Sequence, residues 1–380
     1  MDILALTDAN LASPAFVLDE AQLLHNLQTL ADLRQHSGCK VLYSIKSLPF
    51  STVLSLAKPY VDGFSVSSLF EAKLADESLA KAGGIHLTTP GLRADELDEL
   101  AGLCTHISLN SLSQQQRYTP QLAAQTSVGL RVNPKLSFVK DDRYNPCRQH
   151  SKLGVDIDEL WLSADWAQIQ GLHVHTNFSA TDTAPLLETV AKLKRYLGVN
   201  LHKLHWLNLG GGYLYNQIKD LPAFIAQIGE LKDTFGLEVY IEPGKAVLEN
   251  VAYLVTTVID IFVSDGKTIA ILDTSVNHHP EVFEYQIKPA LCQHDPQGRH
   301  RAILAGSTCL AGDVFGEYRF TKPLRLGDKV VFPNIGAYSL VKASRFNGYN
   351  LPSIYVYHSG ALTPVKHYAY QDYRQQWRAD

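Results

Sequence analysis

Residues 204–245 read LHWLNLGGGYLYNQIKDLPAFIAQIGELKDTFGLEVYIEPGK. The apolar run Leu204–Leu209 ends in Gly210, Gly211 and Gly212. An amphipathic stretch, Leu221–Phe235, follows, and a second run, Glu238–Ile241, ends in Glu242-Pro243-Gly244-Lys245. Strand, helix and strand in that order form one βα unit of a parallel sheet. The pattern recurs upstream, with short β-branched or apolar runs at Val41–Ile45, Gly63–Val66, Ile85–Thr88, His106–Leu109, Val128–Val132 and Gly171–His175. Helical patterns such as Ser68–Lys81, Arg93–Gly102 and Asp182–Leu197 lie between them. The eight runs predict an α/β fold whose first domain is a (β/α)8 TIM-type barrel over residues 16–246. One interval is out of step. Asn133 to Ser151 is long, polar and aperiodic, and reads as an active-site loop after the fifth strand.

After Glu242 the period changes. Val251–Val263 and Thr268–Leu272 are β-rich and joined by the turn signal Ser264-Asp265-Gly266. Further runs follow at Arg301–Leu304, Lys329–Phe332, Ala337–Val341 and Ser353–Tyr357, with no long helical pattern before the last residues. Residues 247–380, with 1–15, are therefore expected to form an all-β domain. The run Ala15–Leu18 has the pattern of a strand able to pair with either domain.

Composition narrows the function. Of 380 residues, 34 are Lys or Arg and 38 are Asp or Glu, a formal charge of −4, which suits neither a nucleic-acid coat nor an anionic membrane. No apolar run approaches the roughly 18 residues of a membrane span. Met1 to Asn10 carries Asp2 and Asp8 without Lys or Arg, unlike a signal peptide. Five cysteines without a CxxC pair argue against a disulfide framework or a zinc ribbon, and a cytoplasmic protein is expected.

Barrel chemistry gathers where strands end. Those positions hold Lys46, Ser65, Thr88, Asn110, Arg131, His175, Gly210–Gly212 and Glu242. Lys46 either reaches solvent or, if desolvated, offers its amine for a Schiff base. His173 and His175 alternate onto one face, but without an evident carboxylate or cysteine ligand a metal is not expected. His173 reads as a hydrogen-bonded core residue and His175 as a ring stacked on a planar cofactor. The glycine triple makes either a tight turn or a backbone cradle for phosphate, and lacks P-loop spacing. A carboxylate at Glu242 needs a cationic partner, a lysine or a protonated pyridine nitrogen. Cys309, between Gly306 and Gly312, reads as a buried small side chain or as part of a loop that closely approaches a ligand.

Lys46, His173-Val174-His175, the glycine triple, Glu242-Pro243-Gly244, Cys309 with Asp313, and Gly336-Ala337-Tyr338, in that order, resemble the fold type III pyridoxal-phosphate decarboxylases from about Pro14 to Ser353. Asn145-Pro146, Gln149, Ser151, Leu153-Gly154-Val155, Cys309-Leu310-Ala311-Gly312-Asp313, Val341-Lys342, Phe346-Asn347-Gly348 and Leu351-Pro352-Ser353 are similar to the carboxynorspermidine decarboxylase branch. The resemblance implies a barrel with a C-terminal β domain, and pyridoxal 5'-phosphate held by Lys46 as a Schiff base. It further implies His175 stacked on the ring, Gly210, Gly211, Gly212 and Tyr338 on the phosphate, and Glu242 on the pyridine nitrogen. Cys309 would reprotonate the substrate carbon, and Asp313 would bind the distal amine. Asp273, Glu281 and Asp313, with Glu242, are the acidic groups expected to hold a polycationic substrate.

A carboxylate at Glu242, where racemases of this fold place an arginine, implies decarboxylation. The expected reaction takes carboxynorspermidine or carboxyspermidine to norspermidine or spermidine in polyamine biosynthesis, in a homodimer with shared active sites. Other readings are a decarboxylase of carboxyaminopropylagmatine or diaminopimelate, a non-catalytic pyridoxal-phosphate-binding homologue, or a Schiff-base aldolase. Intact Lys46, Cys309 and Asp313 count against the second, and the β domain against the third. Three positions depart from the family pattern: Phe178 stands where ornithine-type enzymes have a phosphate-binding serine, Lys245 follows Glu-Pro-Gly, and Lys288 precedes Pro289 where the diaminopimelate enzymes have an arginine.

Overall fold

The computed structural model describes residues 6–7 and 11–379 and comprises two compact units, Leu24–Val247 and Met1–Leu23 with Leu248–Asp380. In the first, eight parallel strands run in chain order: Lys40–Ser44, Gly63–Val66, Gly84–Thr88, His106–Leu109, Ser127–Asn133, Gly171–Val174, Trp206–Asn208 and Glu238–Ile241. The eighth closes onto the first through Tyr240 opposite Lys40 and Ile241 opposite Val41. All eight expected strands are present, and the ring is a barrel. Its strands are buried on both faces, which is why they read as continuous apolar runs rather than alternating ones.

Glycine makes room inside the ring. A Cβ on Gly171 would lie 1.9 Å from the Trp206 ring, and one on Gly129 2.4 Å from it, so the fifth and sixth strands carry glycine where that indole enters. The indole N–H donates to Ser127 Oγ at 2.9 Å. Beside it the His86 and His106 rings stack at 3.8 Å, and Tyr240 lies 4.5 Å from His86.

Serine N-caps, each backed by the side chain three residues on, fix two strand-to-helix turns. Ser68 Oγ accepts the N–H of Glu71, whose carboxylate accepts the N–H of Ser67, at the start of the helix Leu69–Leu79. Ser111 and Gln114 repeat the arrangement ahead of Leu112–Leu122, with Gln114 accepting the N–H of Asn110. The interval after Asn133 is a loop, as expected. It returns as a short strand, Val155–Asp156, that extends the sheet beside Val132 and Asn133.

The second unit is a sheet ordered Val314–Phe320, His300–Ala305, Lys267–Leu272, Ala252–Ser264, Ala15–Asp19, Ser353–His358 and Ala361–Lys366, with Lys329–Pro333 also on Ala252–Ser264. The first and second halves of the thirteen-residue strand Ala252–Ser264 pair differently, across an irregularity between Val258 and Asp260. Asp265 and Gly266, at φ 47° and 77°, make its hairpin turn, the left-handed pair that the sequence suggested. Phe16, Leu254, Leu272, Phe315, Tyr318 and Phe332 are among the buried core.

Ala15–Asp19 belongs to this sheet, between Ala252–Ser264 and Ser353–His358, so the strand expected to open the barrel domain at residue 16 lies in the other unit. Partner availability decides this, because the barrel ring closes without it. The run Ala337–Val341 is not a strand. Tyr338 is left-handed at φ 64° and begins the short helix Ser339–Lys342. Val314–Phe320, interrupted by Gly316, and the largely exposed edge strand Ala361–Lys366 carry too little apolar signal to be read from sequence.

Burial, reinforced by the charge of His106, holds His86 well below the ordinary imidazole range, and burial pushes His106 down to about 4. Both pKa values are lowered on folding, so the unfolded chain binds protons first. Their contribution is intact above about pH 6.5 and is lost as pH falls toward the folded values, at up to about 1.4 kcal/mol per pH unit for each ring. The urea midpoint is therefore expected to fall between pH 6.5 and 4, and less steeply in a His106→Gln variant; an equal slope in that variant refutes the assignment.

Candidate active site at the barrel mouth

Lys46 lies in a tight turn, Ile45–Ser47, directly after the first strand. Its neighbours are buried, and hydrogen bonds from Ser47 Oγ to Ser44 O (2.8 Å) and from Tyr43 Oη to Leu48 O (3.0 Å) fix the turn. The exposed lysine therefore projects from a rigid base. It lines a cavity of about 430 Å³ with Thr88, Arg131, Arg143, Arg148 and His175. Among the described residues lining that cavity there is no carboxylate. Such a mouth suits an anionic ligand.

His175 directly follows the sixth strand. Its Nδ1 accepts the N–H of Gly211 at 3.1 Å, so a neutral ring carries its proton on Nε2. Burial and the positive charges of Arg131 and Lys46 hold its pKa well below the ordinary range, keeping it neutral. A neutral ring with a fixed tautomer is suited to stacking.

Glu242 directly follows the eighth strand and is 6% exposed. Asn208 Nδ2 donates to its Oε1 at 2.8 Å, and His173 Nε2 lies 3.4 Å from Oε2. Burial alone would raise its pKa, but His173, Lys46 and the Asn208 hydrogen bond outweigh it and hold the carboxyl well below the usual carboxylate range. Burial pushes His173 down, against the opposing pull of the Glu242 charge.

The glycines are packed as tightly as the sequence suggested. Gly210 and Gly212 have φ 67° and 93°, and a Cβ on Gly210 would lie 2.6 Å from Val174 O. On Gly211 it would meet Glu242 O at 2.2 Å, and on Gly212 Asn177 O at 2.3 Å. Asn208 Oδ1 accepts the N–H of Gly210 at 2.9 Å while its amide holds Glu242, so one side chain ties the cradle to the carboxylate.

Cys309, Asp273, Asp313 and Tyr338 lie in the sheet unit. Cys309 is exposed, not a buried small side chain; the other four cysteines are buried or half-buried. Its loop is braced: Cys309 N–H donates to Asn347 Oδ1 at 2.8 Å, and Tyr349 Oη donates to Ser307 O at 2.7 Å. Asp313 is 3% exposed and accepts from Val276 N (2.8 Å), Thr308 N (3.0 Å) and Thr308 Oγ1. Asp273 accepts from Thr256 Oγ1 (2.6 Å), Thr257 N (2.8 Å) and Ser13 Oγ. Both carboxylates, expected to hold a polycation, are thus engaged inside their own unit. Glu281 accepts a 3.3 Å bond from Ser339 Oγ beside half-buried Tyr338.

The structure adds His173 and Asn208 to the site, and Glu71, whose carboxyl is raised by burial against the opposing charge of Lys46, while Arg131, already a strand-end candidate in the sequence, lines the cavity. His173 was assigned to the core; its position two residues before His175 was the available signal.

The residues present fit the cofactor that the resemblance implies. The glycine cradle would be filled by any Cβ, one Glu242 oxygen has only His173 beside it, and Lys46 has no ion pair among the described residues.

The family model described as pyridoxal-dependent decarboxylase, C-terminal sheet domain, matches residues 15–336. A carboxynorspermidine/carboxyspermidine decarboxylase of Campylobacter jejuni is 35% identical over 95% of this chain and 97% of its own length. A carboxyaminopropylagmatine decarboxylase of a Synechocystis species is also 35% identical, over 97% of this chain and 96% of its own. The crystal structure of carboxynorspermidine decarboxylase complexed with norspermidine, from Campylobacter jejuni, superposes with a TM-score of 0.88 at 32% identity, covering 96% of this chain and 100% of that one. With a match spanning most of the chain, and relatives that share its length as well as its barrel and sheet, the chain belongs to the pyridoxal-dependent decarboxylases.

Proposed function

We propose that this protein removes carbon dioxide from carboxynorspermidine or carboxyspermidine, giving norspermidine or spermidine, with pyridoxal phosphate as cofactor. The near-full-length likeness to relatives with that activity supports the substrate. The observation that carries the chemistry is Glu242, a buried carboxylate kept ionised at the end of the eighth strand.

When bound, the cofactor ring supplies an electron sink for the pair left behind as carbon dioxide departs. Lys46 provides the amine that anchors the cofactor. Glu242 would hold a proton on the pyridine nitrogen, since an ionised carboxylate in a low-dielectric site stabilises a cation facing it. Neutral His175, its tautomer set by Gly211, would stack on the ring, while Gly210–Gly212 and Tyr338 would hold the phosphate. Cys309 gives its thiol proton to the substrate carbon, replacing the lost carboxylate. Asp313 keeps the Cys309 loop in shape from within.

Two copies are expected to share their sites. Phe283, Val314, Val341 and Phe346 are 40–54% exposed in the unit that carries Cys309, and Phe283 lies 3.3 Å from a Cβ built on Gly312. Apolar side chains around a reactive loop suit an isologous interface. The carboxyaminopropylagmatine enzyme is as similar in sequence, so that substrate is the second reading.

Carbon dioxide release from each carboxylated polyamine, measured with purified holoenzyme, tests the reading; failure on all of them refutes it. Lys46→Ala is expected to lose the yellow absorbance and all turnover, and borohydride should fix the cofactor mass on the peptide containing Lys46; mass on another lysine overturns that role. Glu242→Gln should retain cofactor yet turn over roughly 100- to 1,000-fold more slowly. Unchanged turnover would remove the carboxylate from the mechanism. Mixed Lys46→Ala and Cys309→Ala chains should recover up to about a quarter of wild-type activity through heterodimers with one intact site; no recovery after proven exchange would mean that each site comes from one chain.

A further inference from the structure

Two departures from the family pattern, Phe178 and Lys245, meet at the glycine cradle. The segment after the sixth strand is fastened to Gly212 on both sides of Ser179. A Cβ on Gly212 would lie 2.3 Å from Asn177 O and 3.2 Å from Phe178 N, and Ala180 N–H donates to Gly212 O at 2.8 Å. Ser179 itself is left-handed, at φ 59°, a conformation uncommon for serine. From the end of the eighth strand, Lys245 Nζ donates to Ser179 Oγ at 3.2 Å. Its ammonium also lies 5.8 Å from the centre of the Phe178 ring, which stacks on Tyr144 at 5.2 Å. Among the described residues Lys245 has no carboxylate partner.

A half-buried ammonium whose polar partner is a hydroxyl, set beside glycine backbone, is chemically suited to a phosphate dianion. Phe178 presents no hydroxyl, and its ring instead helps to position the lysine chain. We propose that Ser179 and Lys245 supply the hydroxyl and the positive charge of the phosphate subsite, displaced by one residue from the position that Phe178 occupies. The proposal rests on the cofactor reading and explains two of the three departures together.

The test uses the full chain stripped of cofactor and compares binding of pyridoxal 5'-phosphate and of pyridoxal by equilibrium dialysis. Lys245→Met and Ser179→Ala should each weaken the phosphate ester roughly 10- to 100-fold and leave pyridoxal unchanged, while Lys245→Arg retains most of the affinity. Phosphorus NMR of the bound ester should show its second ionisation moving up in pH in Lys245→Met. Undiminished affinity in Lys245→Met, or equal losses for both ligands in the folded variants, overturns the proposal. Failure of the wild-type chain to bind the phosphate ester overturns the cofactor reading and the proposal with it.

Discussion

The barrel mouth depends on keeping one carboxylate charged where water is scarce. Burying an unpaired ionised carboxylate costs several kcal/mol or more, and a protonated Glu242 would be the simple outcome. The eighth strand avoids it by bringing Glu242 under Asn208 from the seventh and beside His173 from the sixth. The same asparagine holds the N–H of Gly210, and Glu242 N–H donates to Gly210 O at 2.8 Å. Three adjacent strand ends are thus locked to one another through a few polar atoms. The lack of a Cβ at Gly211 allows that closeness, with Glu242 O only 2.2 Å from where it would stand. Glu242, the glycine triple and His175 therefore form one construction.

Carboxylates in the other unit do different work. Asp313 and Asp273 are surrounded by donors from their own neighbourhood, so their charges shape turns. A carboxylate accepting three hydrogen bonds is a strong organiser of backbone, and Asp313 sits at the foot of the loop that presents Cys309. The exposed thiol is held in place by its loop and not by packing of its own side chain. That division leaves the Cys309 side chain exposed on a braced loop.

The third departure, Lys288, places its ammonium 4.4 Å from the centre of the Tyr318 ring, whose hydroxyl donates to Pro289 O at 2.8 Å. It is thus engaged in a cation–π contact within the sheet unit, whereas an arginine would present a bidentate fork to a carboxylate. A substrate rich in amines has no need of that fork. This agrees with relatives that act on carboxylated polyamines, and it sets the chain apart from a diaminopimelate pattern.

The sequence alone determined the barrel, because its strands are buried on both faces and each is a short apolar run between amphipathic helices. It also located Lys46, His175, the glycine triple and Glu242, since the end of a strand is defined by local pattern. Pairing partners lay outside its reach. Ala15–Asp19 has the pattern of any buried strand, and only the closed ring and the free edges of the sheet decide where it goes. The same holds for side chains that meet across strands. Nothing local marks Asn208 as the link between cradle and carboxylate, Lys245 as the partner of Ser179, or Asp313 as a buried brace. Periodicity records which face of an element is buried, while hydrogen bonds between distant residues exist only once the chain has closed upon itself.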